Sequence, residues 1–150
     1  MLKAGTSLPL VMSEARSNKI TGNQLPRRAI LRGKDSFEHL FQNGSRIAGK
    51  VADIRYYVSS SDAVSGRQTA FIAGRRLGNA VKRNRYKRLL REAYRLQQHI
   101  LDPLDDTPER NLHFAFILKN PRAGYAEIYA EVGQLLQKLV IQLQQNRQKS

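Results

Sequence analysis

Apolar positions along the chain change period several times, and each change marks an element. Residues 1 to 24 mix Ser, Asn, Gly, Lys and Thr without a period of 2 or 3.6 and read as a flexible extension. Order begins near Leu25-Pro26-Arg27-Arg28. Asp35 and Glu38 have the spacing of a helix N-cap and its reciprocal partner. Phe37, Leu40 and Phe41 fall at i, i+3 and i+4, one apolar face of a short helix, which Asn43-Gly44 stops with a left-handed cap. From Arg46 to Ser60 the period becomes 2: Ala52, Ile54, Tyr56 and Val58 on one side, Asp53, Arg55 and Tyr57 on the other. That predicts a half-buried strand, with a shorter one before it around Arg46 to Gly49. A Ser-rich turn through Ser59-Ser60-Ser61-Asp62 and Ser65-Gly66 leads to Gln68–Ala73, apolar enough for a central strand.

Helical spacing returns after Gly78-Asn79, where Asn79 is a good N-cap. Tyr86, Leu89, Leu90, Ala93, Leu96 and Ile100 gather on one side of that helix; Asn84, Lys87, Arg88, Arg91 and Arg95 gather opposite. Leu101 to Arg110 reads as an acidic loop whose prolines, Pro103 and Pro108, end the helix. Asn111 to Lys119 is a strongly apolar strand and Asn120 to Gly124 a turn. The last helix carries the stripe Ile128, Val132, Leu135, Leu136, Leu139 and Leu143. The pattern predicts an α+β domain over 25–145 with a mixed four-stranded sheet and helices packed on it, in the order α-β-β-β-α-β-α. Residues 146–150 form a frayed tail.

Charge changes this picture from a fold to a partner. The chain of 150 residues carries a formal net charge of +14, which calls for a polyanion; nucleic acid leads, because each neutralised phosphate releases counterions. Nine of the cations lie between Arg75 and Arg95 (Arg75, Arg76, Lys82, Arg83, Arg85, Lys87, Arg88, Arg91, Arg95), opposed only by Glu92. On a folded helix they form a row about one turn apart, within reach of successive phosphates. Arg55 and Tyr57, side by side on the strand, pair a cation with a ring. Phe37 and Phe41 serve either as core or as a stacking surface for unpaired bases.

Enzyme chemistry of the protein's own finds little support. There is no cysteine, which removes disulfides, thiolate catalysis and thiolate-bound metals. His39, His99 and His113 lie on different elements without metal-ligand spacing, and His113 reads as a packed strand residue. The acids of the 101–110 segment lack the calcium-loop spacing. No Ser-His-Asp set and no phosphate-cradling Gly-Lys motif is present. No catalytic residue and no metal ligand is therefore assigned. No apolar run reaches the ~18 residues of a spanning helix, so the expectation is a soluble cytoplasmic protein without a membrane partner. A strand, not a helix, precedes residue 79, which argues against a helix-turn-helix and a DNA partner.

The run Gly78-Asn79-Ala80-Val81-Lys82-Arg83-Asn84-Arg85-Tyr86-Lys87-Arg88-Leu89-Leu90-Arg91-Glu92-Ala93-Tyr94-Arg95 resembles the signature of the bacterial ribonuclease P protein component. Weaker agreement extends over about 25 to 140: Asp35, Phe37 and Phe41, the Asn43-Gly44 stop, and Lys119-Asn120-Pro121. The resemblance implies a small α+β subunit, with a left-handed β-α-β crossover, of the ribonucleoprotein that removes the 5′ leader from precursor tRNA. The catalytic RNA performs the hydrolysis with Mg²⁺ that it mainly holds itself. The implied partners are that RNA, in a 1:1 complex with a monomeric protein, and precursor tRNA. The resemblance places Arg75, Arg76, Asn79, Lys82, Arg83, Asn84, Arg85, Lys87, Arg88, Arg91 and Arg95 at or near the RNA, and Phe37, Phe41, Arg55 and Tyr57 at the single-stranded leader. Two positions depart from the family pattern: Arg55 stands where relatives often have an aromatic residue, and Gly74 where a small hydroxyl residue is common. The alternative class is a structural RNA-binding protein, ribosomal or chaperone-like, without a leader cleft.

Overall fold

A computed structural model describes residues 23–59, 66–106 and 111–149. The expected extension (apart from residues 23 and 24), most of the Ser-rich turn and the end of the acidic segment lie outside the described residues. The elements are α1 (Lys34–Asn43), β1 (Ser45–Ile47), β2 (Ala52–Ser59), β3 (Gly66–Ala73), α2 (Ala80–Gln97), β4 (Asn111–Leu118) and α3 (Tyr125–Lys149), in the expected order. The helical backbone of α3 continues to Lys149, into the segment expected to fray.

Strand order is β1-β2-β4-β3: β1 and β4 both run antiparallel to β2, and β3 runs parallel to β4. This corrects the expectation that residues 68–73 sit centrally. β3 is at the sheet margin, where its outer side receives a bridge from Ile30, and Leu31 N–H donates to the Thr69 carbonyl at 2.8 Å. β4 is the central strand, and its near-continuous apolar run reflects burial on both faces.

On one face, α2 and α3 close the main core over Ile54, Tyr56, Leu112, Phe114, Phe116 and Leu118. All six expected apolar positions of α3 are buried there. At roughly 1.5–3 kcal/mol for each fully buried large aliphatic side chain, this stripe is a principal source of stability. On the other face, α1 covers a smaller cluster of Leu31, Leu40, Ala70 and Ala115, with Phe37, Tyr57 and Ile72 packed against it.

Three local expectations are corrected. The Asp35–Glu38 capping pair does not form: Gly33, at φ 93°, turns the chain into the helix early, so the helix starts at Lys34. Asp35 then lies in the first turn, where the dipole favours a carboxylate, and Glu38 approaches Lys34 at 3.9 Å. Gly44 ends α1 in an extended conformation, φ −77°, not a left-handed one. Glycine fits because a Cβ there would collide with the Leu40 carbonyl oxygen and stand 2.8 Å from that of Tyr56. Finally, Gln98–Asp106 continues past α2 as a 3-10 helix through Pro103, held by fully buried Leu101 with Ile100 and Leu104 beside it.

Candidate nucleic-acid interface

Leaving β3, the chain makes a 3-10 turn, Arg75–Leu77, whose buried Leu77 pegs it to the core while Arg75 and Arg76 stay exposed. Gly78 follows at φ 137°, a conformation side chains rarely adopt, and turns the chain into α2. Asn79 caps it, its side-chain oxygen accepting the Lys82 N–H at 2.9 Å. Asn79 thus shapes the helix start directly.

The buried stripe of α2 is Leu90, Ala93, Tyr94 and Gln97: Leu90 and Ala93 belong to the expected stripe, but burial is rotated away from half-buried Tyr86, Leu89 and Leu96 towards Tyr94 and Gln97. The rotation arises because Tyr94 must enter the aromatic cluster of Phe71, Phe114 and Phe116, with ring centroids 5.5–6.0 Å away. Lys87 and Arg83 lie one and two turns before Leu90 on that side and are half-buried. The Nε of Arg83 is buried without a hydrogen-bond partner. The solvent face presents Lys82, Asn84, Arg85, Arg88 and Arg91, together with Val81, which is 76% exposed. Arg91 lies over the Phe71 ring at 5.8 Å, which restrains its guanidinium. Arg95, also half-buried, grips Glu92 through Nη2–Oε1 at 2.6 Å and Nε–Oε2 at 3.0 Å and donates Nη1 to the Asn23 carbonyl. That fork holds the Glu92 carboxyl below its ordinary range and raises Arg95. The eleven residues proposed from sequence therefore share one element and its approach, but five of them are committed or partly sunk.

The other aromatic and cationic candidates lie across the sheet. Arg55 Nη2 donates to the carbonyls of Phe41 at 2.8 Å and Gly44 at 3.3 Å, and its guanidinium lies 5.5 Å from the Phe41 ring centre. Phe41 is 41% exposed, whereas Phe37 is half-buried beside Tyr57. Tyr57 stacks on His39 at 6.2 Å and is the register partner of His113. Burial, then the charge of His39, pushes the His113 pKa down. The four residues thus form one strip along α1 and β2.

Sequence reasoning missed the cluster at the end of this strip. Asp53, two residues from Arg55, is only 6% exposed because Arg46 and Lys119 close over it, at 2.9 and 2.8 Å. Burial pushes its carboxyl up, but hydrogen bonds from Lys119, the Gly49 amide and Arg46, with the Lys119 charge, outweigh that and hold it low. An acid at period 2 beside Arg55, facing a lysine at the end of the next strand, was the available signal. Among the described residues, no group of three His, Asp or Glu side chains is placed to hold a metal ion, and no helix is long and apolar enough to cross a membrane.

Comparison with known proteins gives a consistent result. The family model for ribonuclease P matches residues 25–140. The ribonuclease P protein component of Acidothermus cellulolyticus is 34% identical over 116 residues, covering 77% of this chain and 91% of that protein. Its counterpart from Nitrosomonas europaea is 35% identical over 119 residues, covering 79% and 93%. The Chlorobaculum tepidum protein component is 40% identical over 97 residues, spanning 62% of this chain and 60% of its own length. The ribonuclease P protein of Thermotoga maritima shares the fold at a TM-score of 0.58 and 16% identity, over 73% of this chain and 96% of that one. The chain belongs to the ribonuclease P protein family.

Proposed function

We propose that this chain is the protein subunit of the ribonucleoprotein that removes the 5′ leader from precursor tRNA. In this reading the basic face of α2 binds the catalytic RNA, and the Phe41–Arg55–Tyr57 strip meets the single-stranded leader. The observation that carries it is the placing of two surfaces on opposite faces of one sheet: the basic row of α2 on one, the Phe41–Arg55–Tyr57 strip on the other. A polyanion on α2 leaves the α1 face free for a second strand, so the protein bridges two RNAs whose own charges repel.

The chemistry belongs to the RNA. Bound Mg²⁺, held by the RNA, supplies the metal-ion chemistry of hydrolysis. Among the described residues, three carboxylates are engaged within the fold: Asp53 by two cations, Glu92 by Arg95, Glu131 by the amides of Val51 and Ala52. The protein contributes binding and orientation, as a monomer in a 1:1 complex in the cytoplasm.

Reconstitution tests this directly. The chain is added to a bacterial ribonuclease P RNA at low Mg²⁺, and cleavage of precursor tRNA is measured. A rate well above that of RNA alone is expected; no gain overturns the proposal. One observation favours the alternative of an RNA binder without a leader cleft: Arg55 already satisfies carbonyls of α1. Crosslinking from the leader to residues 37, 41 or 57 separates the two.

A further inference from the structure

A second aromatic surface lies on the opposite side of the molecule from Phe41. Tyr125 and Tyr129 occupy i and i+4 on the first turns of α3, with ring centroids 6.0 Å apart and planes inclined at 51°. Both are more than a third exposed, at 37% and 38%. The pair shares the exposed side of α3 with Ala126, Glu127 and Ala130, while Ile128 and Val132 point into the core.

The pair is held against α2. Gln97, buried on α2, donates to the Tyr129 carbonyl at 2.8 Å, and the preceding turn is pinned by the Tyr86 hydroxyl, which donates to the Pro121 carbonyl. The Tyr125 hydroxyl sits in the field of the Glu92–Arg95 pair; burial first, then Glu92 and Tyr129, push its pKa up, with Arg95 opposing. The backbone that carries the rings is therefore tied to α2, and Tyr125 borders the Glu92–Arg95 pair on its basic face. A polynucleotide drawn onto Arg85, Arg88 and Arg91 passes beside two outward-facing rings on an anchored backbone.

We propose that Tyr125 and Tyr129 form a stacking shelf for an unpaired nucleobase of the RNA bound along α2. Bases stack on exposed aromatic rings irrespective of sequence, and the neighbouring cations hold the adjoining phosphates. The inference rests on the proposed RNA-binding role of α2 and adds to it a contact that is not electrostatic.

The experiment compares wild type, the double variant Tyr125→Ala/Tyr129→Ala and the double variant Tyr125→Phe/Tyr129→Phe. Each is titrated against a bacterial ribonuclease P RNA and against a short single-stranded RNA of mixed sequence, at two salt concentrations. The alanine pair is expected to lose roughly tenfold in affinity at both salts, with an unchanged salt slope, while the phenylalanine pair binds as wild type does. Because the chain has no tryptophan, Tyr129→Trp places a single indole whose fluorescence RNA should quench. Equal affinity of the alanine pair and wild type for both RNAs overturns the shelf, as does a loss of affinity accompanied by a change in oligomeric state. Wild type binding the ribonuclease P RNA no better than the short RNA would sink only the proposed function as that RNA's protein subunit. The shelf is then decided by the short-RNA arm.

Discussion

Arg55 holds Phe41 twice, by a 2.8 Å hydrogen bond to its carbonyl and by a guanidinium lying over its ring. One cation thus satisfies a C-terminal carbonyl of α1 and fixes the orientation of the exposed ring. Arg55→Ala is expected to lower stability by about 2 kcal/mol, the scale of a hydrogen bond to a charged donor plus a cation–π contact. It should also reduce crosslinking of leader RNA at Phe41. Denaturant melts and crosslinking measure the two effects. A stability loss without any change at Phe41 would show that the ring keeps its place unaided.

Asp53 makes the fold sensitive to acid. Its folded pKa lies below the unfolded value, about 3.9, so the native state favours the ionised form. The contribution is present above that unfolded value and is lost as pH falls through the folded one. Asp53→Asn should cost about 2 kcal/mol at pH 7, and the difference from wild type should shrink towards pH 3. Chemical denaturation at the two pH values checks this. A difference independent of pH would assign the loss to packing.

Glu92 is the acid that restrains the basic helix. Glu92→Gln releases Arg95 from its bidentate partner, and RNA affinity should rise with a salt slope steeper by about 0.7–0.9, one further phosphate contact. Filter binding over a range of salt concentrations reads both. Weaker binding would mean that the fork itself orients Arg95 for RNA.

Arg88 is exposed on the same face. Arg88→Ala should weaken RNA binding and flatten the salt dependence by about one unit, with no effect on the melting temperature. An unchanged slope would place this side chain away from phosphate.

The cap at Asn79 separates structure from binding. Asn79→Ala should destabilise the protein by about 1 kcal/mol, whereas Asn79→Ser retains a capping oxygen and most of the stability. Thermal melts of both variants test the assignment. Equal losses would show that the cap bond contributes little.

Spacing alone carried the stripe of α3, the Asn79 cap and the order of elements, because each depends on residues within one or two turns of one another. It failed where distant residues decide. Whether Gln68–Ala73 lies at the centre or the margin of the sheet depends on β4, some forty residues later, taking the central place. The inward turn of Tyr94 depends on Phe114 and Phe116, and with it the partial burial of Arg83 and Lys87. Asp53 looked like a solvated strand residue until Lys119 came across from β4. The cationic face was legible as a stretch of chain; which of its members are free to meet a phosphate was set by Glu92, Phe71 and the rotation of the helix.

The central position of β4 also fixes when the molecule can assemble. β2 and β3 do not pair with each other; both take their main partner from Asn111–Leu118. As the chain leaves the ribosome, the strongly cationic α2 emerges before the strand that completes the sheet beneath it and the helix that covers its side. Until then it has no core to dock on and its charges repel one another. Folding is therefore a late event in synthesis, and a polyanion at hand when β4 emerges would relieve that repulsion and hasten the final closure.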